Sequence, residues 1–433
     1  MTTRVTALAR VWAWRRSPEA WLLASNLGSR LLGFVVSLLM SRLGGVQALG
    51  LYSGLLITSA SPTTPMSAVL ANNATILAAR HHASLPMRRL LRAQWGVALA
   101  SALMSVALCW GMLSVSGLGR SGLLAWHSVM TVAAGMVLGQ VLTQTVVGLC
   151  HGAALSLQAS WVVSAVTLVA LLLAYPLIAV WGVAGGLWQA VGVALLPGVL
   201  LGLWLWRRAG ESEDAQEQAA SMAGEARQQW RQAIPNILAT VLNNATNWIS
   251  CIYLAERFHG HAGLGLVAIG LQWMALMQLP LSSWGGRVMR ALAVAHGQSA
   301  GALGAELVRQ FKRCGVVSMG AACLVWAGAG LVADLYKVDR QTLVALFAIN
   351  AAASALSSVN FVGERVFFCL GSQRPWLLMS VLAYVAQMGL TWVLIPHSIL
   401  AVALGNLLAI ALMAVMVMAW FRRLGLFHRE VAT

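Results

Sequence analysis

The stretch WLLASNLGSRLLGFVVSLLM, Trp21–Met40, carries one charge in twenty residues. Coiled as an α-helix at about 1.5 Å per residue it would cover about 30 Å, the hydrocarbon thickness of a bilayer. Working outward, runs of the same kind recur along the chain, separated by short charged segments. They predict twelve spans. In the first half these are Trp21–Met40, Leu49–Ala78, Ala93–Val115, Leu123–Leu149, Leu155–Ile178 and Val180–Trp206. The second half gives Ala233–Leu254, Leu264–Trp284, Gly315–Ala333, Thr342–Leu370, Trp376–Ile395 and Ile399–Phe421. The boundary between the fifth and sixth spans, Tyr175–Trp181, rests on Pro176 and on a run too long for one helix.

Composition agrees. Of the 433 residues 59% are apolar and 9% charged, with a mean hydropathy of +0.77. A soluble domain holds roughly 45–50% apolar and about 25% charged residues. This chain could not cover its surface in water, so lipid must do it. The expected fold class is an all-α polytopic membrane protein.

The net charge of +16 does not indicate nucleic-acid binding, because the basic residues punctuate apolar runs rather than cluster on one soluble face. With an amino terminus inside and an even number of spans, 22 Arg and Lys fall on the cytoplasmic side. Five fall opposite, at Arg42, Arg120, Arg257, Lys337 and Arg340. That bias predicts both termini in the cytoplasm. Met1–Ala20 lacks the apolar core of a signal peptide; Val5, Leu8 and Trp12 share one helical face, so it is expected to lie along the membrane surface.

The longest polar segment, Arg207–Arg231, divides the spans six and six. It predicts an N-lobe over residues 1–206, a cytoplasmic linker over 207–232 and a C-lobe over 233–433. The halves resemble one another: Ser25-Asn26, Arg42 and Leu49-Gly50-Leu51 match Asn243-Asn244, Arg257 and Leu264-Gly265-Leu266 at offsets of 218, 215 and 215. Pro62 matches Pro280 at 218. Six spans per half is even, so the repeats would enter the membrane in the same sense, related by a pseudo-two-fold axis along its normal.

Several chemistries are excluded. No GxxxxGK[ST] occurs, so no phosphate cradle of an ATP motor is expected, and HExxH, GxSxG and paired-carboxylate motifs are missing too. Cys109, Cys150, Cys251, Cys314, Cys323 and Cys369 form no CxxC pair and no metal-ligand spacing; they read as small apolar fillers. The chain is expected to be no enzyme, with no cofactor and no metal.

Arg30 is the strongest candidate for function. It lies about ten residues into the first span, where a charge costs about 2.5–3.5 kcal/mol on insertion scales. No acid of that span offsets it, so it should face water or an anionic ligand; a guanidinium bonded to backbone carbonyls, or snorkelling to the interface, is the bland alternative. Arg290, at the end of the eighth span, and Arg365, about five residues inside the tenth, could add positive charge, or could serve as an anchor and a structural ion. Glu364 and Arg365 are adjacent and so should point apart on a helix. Asn26, Asn247 and Gln272 offer amides, and Trp248 and Trp273 sit beside two of them. That pairing suits a sugar, although interhelical hydrogen bonds explain the amides as well. Pro62, Pro65 and Pro280 are hinge candidates. Most of the 19 tryptophans fall at span ends, as an interfacial belt.

The segment Ile234-Pro-Asn … Asn243-Asn-Ala-Thr-Asn-Trp248 … Gly263-Leu-Gly-Leu … Gln272-Trp273 … Leu279-Pro280 resembles the Wzx-type flippases of lipid-linked O-antigen repeat units. Gly44-Gly45 … Leu49-Gly-Leu-Tyr52 similarly looks like their first loop. Those proteins belong to the superfamily of multidrug, oligosaccharidyl-lipid and polysaccharide exporters. The resemblance implies a MATE-like transporter of two six-helix lobes in a bacterial inner membrane. Its substrate would be an oligosaccharide on undecaprenyl diphosphate, flipped to the outer leaflet by alternating access during polysaccharide (O-antigen, lipopolysaccharide) biosynthesis. Other polysaccharide-assembly membrane proteins would be its partners. Scarce lysines and carboxylates within the spans depart from the pattern of those flippases and leave the coupling ion open. A drug or metabolite antiporter of the same fold is the alternative; a membrane glycosyltransferase or polymerase would need larger loops or catalytic acids.

Overall fold

The computed structural model of the chain describes residues 18–81, 87–116, 118, 125–208, 234–235, 237–253, 260–371 and 373–426. The amphipathic amino-terminal stretch, most of the linker and the side chain of Asn26 lie outside the described residues. The described chain is built of helices: α1 (Pro18–His81), α2 (Met87–Val115), α3 (Trp126–Gly152), α4 (Ser156–Arg208), α5 (237–253), α6 (Gly260–Met277), α7 (Leu279–Gln298), α8 (Ala300–Ala327), α9 (Ala329–Tyr336), α10 (Arg340–Cys369), α11 (Gln373–Leu394) and α12 (Ala401–Arg423).

Two of these are double-length. A straight helix of 64 residues such as α1 would run about 96 Å, three bilayer cores. It is broken instead at Gly45 (φ 77, ψ 173), a backbone setting that glycine adopts without a Cβ penalty. Helix α4, 53 residues long, breaks at Gly182 (φ 56, ψ −132). Its two limbs fold back on one another: the Gln189 amide donates to the Ala170 carbonyl at 2.5 Å, whereas nineteen residues of straight helix would hold them about 28 Å apart. An added Cβ at Gly185 would overlap the Leu177 carbonyl oxygen, which fixes how tightly the limbs approach. The turn expected at Pro176 is therefore corrected to Gly182. Pro176 stays inside helix, and only glycine supplies the positive φ of the reversal.

Among the described residues eight helices are long and apolar enough to cross a membrane, and α8 with α9, bent by 50°, makes a ninth. The expected twelve would follow if each limb of the broken α1 and α4 crosses separately and α5 is the seventh span. Leu172, Val180 and Leu324 are 70%, 73% and 77% exposed, as side chains facing lipid should be. The protein is an all-α, multi-pass membrane protein. The eighth span differs in detail from its expected bounds: α6 stops at Met277 and α7 begins at Leu279.

The chain divides into two compact units, one of Met1–Leu43 with Leu55–Ile234 and one of Gly44–Gly54 with Pro235–Thr433. In the first, α3 packs along α4 and α2, around Leu77, Leu90, Leu149, Cys150, Leu201 and Leu205. Small residues set the spacing. A Cβ at Gly139 would come within 2.8 Å of Ala194 and Leu195 backbone, and one at Gly148 would overlap the Ala71 carbonyl. Thr143 of α3 enters the ladder of α4: its hydroxyl donates to the Ala194 carbonyl (2.6 Å) and accepts from the Gly198 N–H (2.9 Å). Those are the two groups that would otherwise bond each other four residues apart.

The second unit is organised around α10, which touches α6, α7, α8, α9, α11 and α12. Phe367 is its hub, with ring centroids 5.5 Å from Phe421 and 5.8 Å from Trp376. Within this unit the repeat-matched glycines Gly50 and Gly265 meet, since a Cβ on Gly265 would lie 3.2 Å from the Gly50 nitrogen. One on Gly50 would overlap the His261 carbonyl. Matched glycines thus permit a backbone-to-backbone crossing that any side chain would block.

Candidate functional site

Arg30 stands roughly midway along the first limb of α1, in the first unit. Its helix is held on one side by buried Leu32 and Val36, and Gly28 faces the Thr167 methyl of α4, where an added Cβ would sit at 3.7 Å. The opposite side is exposed: Leu27 and Leu31 (41% and 46%) flank an exposed Arg30. No hydrogen bond or ion pair joins the guanidinium to another described residue, and Ser29 beside it spends its hydroxyl on the Ser25 carbonyl (3.0 Å). A guanidinium with five donors does not rest against hydrocarbon, so this face requires water or an anion. The bland alternative of carbonyl pairing is not what the described residues show.

Arg365 has the opposite setting. Its Nη1 donates to the Phe361 carbonyl (2.6 Å) and its Nε lies 3.4 Å from the Gly285 carbonyl. Nη1 is 3.6 Å from the Glu364 carboxylate, and the guanidinium lies 3.5 Å from the centroid of the Phe361 ring. The expectation that Glu364 and Arg365 point apart is corrected. Their backbones diverge by a helical step, but the long arginine stem turns back to its neighbour. These contacts tie α10 to the start of α7. Arg290, on α7, is exposed.

The amides form a chain through the second unit. Asn247 Nδ2 donates to Asn243 Oδ1 (3.1 Å), and Gln387 Nε2 of α11 donates to Asn247 Oδ1 (2.8 Å). Gln387 is fully buried, and its Oε1 and the Thr391 hydroxyl have no partner among the described residues. Gly405 of α12 makes room for this cluster, since a Cβ there would overlap Thr391 Oγ1. Trp273 packs on Phe347 of α10 (5.7 Å), and its half-buried neighbour Gln272 and Trp248 of α5 are likewise engaged. Asn406 reaches the Met274 sulfur (3.5 Å) and Asn360 the Ile410 carbonyl (3.0 Å). Asn247 therefore follows the interhelical reading rather than standing open beside a tryptophan face.

Asn247 was a candidate from the sequence; the residues that join it in the buried amide network or lie elsewhere in the same unit, Gln387, Thr391 and Asn360, were not. A buried amide in an apolar run was the available signal, and it was read only where a tryptophan adjoined it. The hinge candidates also diverge. Helix α1 runs through Pro62 and Pro65, its one non-helical residue being Gly45, whereas Pro280 sits in the first turn of α7 just after a break. Arg30, Pro62 and Pro65 belong to the first unit, and the other described candidates to the second. No group of three His, Cys, Asp or Glu able to hold a metal occurs among the described residues.

No protein-family model matches the sequence, and no curated protein matches it. Solved structures do. An inward-facing multidrug resistance MATE family transporter of the MOP superfamily superposes with a TM-score of 0.66 at 14% identity, over 93% of this chain and 96% of the other. An outward-facing MATE family transporter gives 0.62 at 13%, over 95% and 96%. A MOP superfamily transporter from Pyrococcus furiosus, described by a binding pocket of reversed polarity, gives 0.62 at 15%, over 95% and 96%. At such identities the likeness establishes the fold: two-lobed, all-α, of the MATE and MOP kind.

Proposed function

We propose that the chain is a transporter that flips an oligosaccharide linked to undecaprenyl diphosphate across a bacterial inner membrane, by alternating access of its two lobes. The observation that carries this reading is Arg30: exposed, unpaired among the described residues, and midway along an otherwise apolar limb. A diphosphate cannot cross hydrocarbon unaided, and a guanidinium can replace its hydration with paired, charge-assisted hydrogen bonds.

The charge balance supports an anionic cargo. No Asp or Glu occurs from Ala20 to Gly210, so the spans of the first lobe offer cations and no carboxylate. Exchange of a cationic drug for protons or sodium calls for an ionisable acid in the spans. The acid deepest in the described spans, Glu364, is engaged with Arg365 at 3.6 Å. The antiporter reading rests on the fold shared with multidrug transporters and on Glu364; flipping of an anionic lipid-linked sugar also accounts for Arg30. With both termini in the cytoplasm, which the arginine distribution supports, the six-and-six lobes would be joined by the polar linker at residues 207–232.

The test is flipping of a fluorescent undecaprenyl-diphosphate oligosaccharide in proteoliposomes. Arg30→Ala should abolish it with protein content unchanged, and Arg30→Lys should restore part. Undiminished flipping by Arg30→Ala would refute the role, and export of a cationic dye in its place would favour the antiporter.

A further inference from the structure

The second unit carries a cationic cleft whose residues the assignment of Arg30 to the cargo does not involve. It lies between α7 and α8, has a volume of about 700 Å³, and is walled by Trp284 and Val288 on one helix and Val316 and Val317 on the other. Arg287, Lys312 and Arg313 reach it, with a single acid, Glu306. That acid is already occupied: Arg309 Nη1 lies 2.8 Å from one carboxylate oxygen, and Gln310 Nε2 donates to the other at 2.6 Å. No ion pair to a described residue accompanies Lys312 or Arg313. The cleft thus keeps an uncompensated positive charge on a membrane protein's surface.

What adjoins the charge identifies the ligand. On α8 the exposed positions continue from Lys312 and Arg313 at helical spacing to Val316 (73%), Met319 (53%) and Leu324 (77%). One helical face therefore changes from cationic to apolar within a turn and stays apolar to the helix end. A soluble phosphate needs only the charged part. A phospholipid needs both, in this order. The half-buried Trp284 opposite, an amphipathic ring, is suited to the headgroup level.

We propose that this cleft seats one anionic phospholipid, its phosphodiester against Lys312 and Arg313 and an acyl chain along the Val316–Leu324 face of α8. The inference is independent of Arg30 and of the transported cargo. It adds a lipid site on the face that the arginine count assigns to the cytoplasm, where anionic headgroups attract juxtamembrane cations.

The test is native mass spectrometry of the delipidated full-length protein, titrated with phosphatidylglycerol or phosphatidylcholine. The first phosphatidylglycerol should bind roughly twenty-five-fold tighter than phosphatidylcholine, from a contribution of about fivefold for each of the two surface cations. Lys312→Gln with Arg313→Gln should erase that preference. Arg422→Gln with Arg423→Gln, which removes the same charge from exposed positions at the end of α12, should leave it intact. Equal loss in both double variants would reduce the effect to diffuse attraction and overturn the site. Displacement of the lipid by an equal concentration of glycerol phosphate would overturn the lipid assignment in favour of a soluble anion.

Discussion

Arg30 and Arg365 are the same residue in the same kind of apolar helix, and the two units treat them in opposite ways. In the second unit the guanidinium is consumed by the protein, by the carbonyls of Phe361 and Gly285, the Glu364 carboxylate and a phenyl face. In the first unit Arg30 sits exposed with no such set of partners among the described residues. A charge inside a membrane protein that holds helices together needs no ligand, while one left open needs water or an anion to be tolerated. The surroundings differ as well: glycines set close approaches in both units, but the first adds the Thr143 hydroxyl in the ladder of α4, whereas the second adds a chain of amides through Asn247 and Gln387.

The comparison breaks most visibly through Arg365. Replacing it by Met leaves two carbonyls and Glu364 without their donor, and the second unit should lose about 3 kcal/mol, the low end for breaking a shielded ion pair because both side chains keep some exposure. Arg30→Ala should change stability by less than about 0.5 kcal/mol, as for a surface site. Urea titration of the detergent-solubilised protein measures both; equal losses would erase the distinction between a structural and an open arginine.

A smaller effect tests how the first unit is joined. Thr143→Val keeps the shape and removes the hydroxyl that bridges Ala194 and Gly198, leaving one carbonyl and one N–H of α4 unpaired. The expected cost is about 2 kcal/mol, read as faster hydrogen exchange at Gly198 and its neighbours. Unchanged exchange would mean that α4 closes its own ladder once the threonine is gone.

Smallest is an acid effect confined to the second unit. Asp339 caps α10; the Thr342 hydroxyl and then the Thr342 N–H (2.7 Å) hold its carboxyl below its ordinary value of 3.8. The ionised cap stabilises the helix above the ordinary value, and that contribution is lost as pH falls through the depressed one. Helix α4 of the first unit, which holds no Asp, Glu or His, has nothing to titrate in that range. Hydrogen exchange at pH 3 against pH 6 should therefore loosen the start of α10 and leave α4 unchanged. Loosening of both alike would point to a general acid effect.

Much of this frame was legible in the sequence because membrane folding leaves coarse marks. Apolar runs and the arginine alternation located the passages, and equal offsets singled out Gly50 and Gly265 before the two were seen to touch. What escaped depends on tertiary register or on side-chain reach. Pro176 drew attention away from Gly182 because proline breaks helices in water, yet membrane helices retain it, and a reversal needs a positive φ. Glu364 and Arg365 diverge on a helical wheel, but a wheel does not describe how far a guanidinium folds back. Nothing in the residues around Thr143 announces that it will enter a helix fifty residues away. Arg30 was legible for the opposite reason: its setting follows from cost alone, as a charge with no acid within its own span.

The most direct measurement is the thermal stabilisation that undecaprenyl diphosphate, in neutral-lipid nanodiscs, confers on wild type and on Arg30→Ala. If Arg30 holds the diphosphate, Tm should rise with concentration for wild type, stay fixed for Arg30→Ala, and stay fixed for either protein with undecaprenol, which lacks the diphosphate. An undiminished rise in Arg30→Ala would place the anion elsewhere and contradict the assignment of that arginine to the cargo.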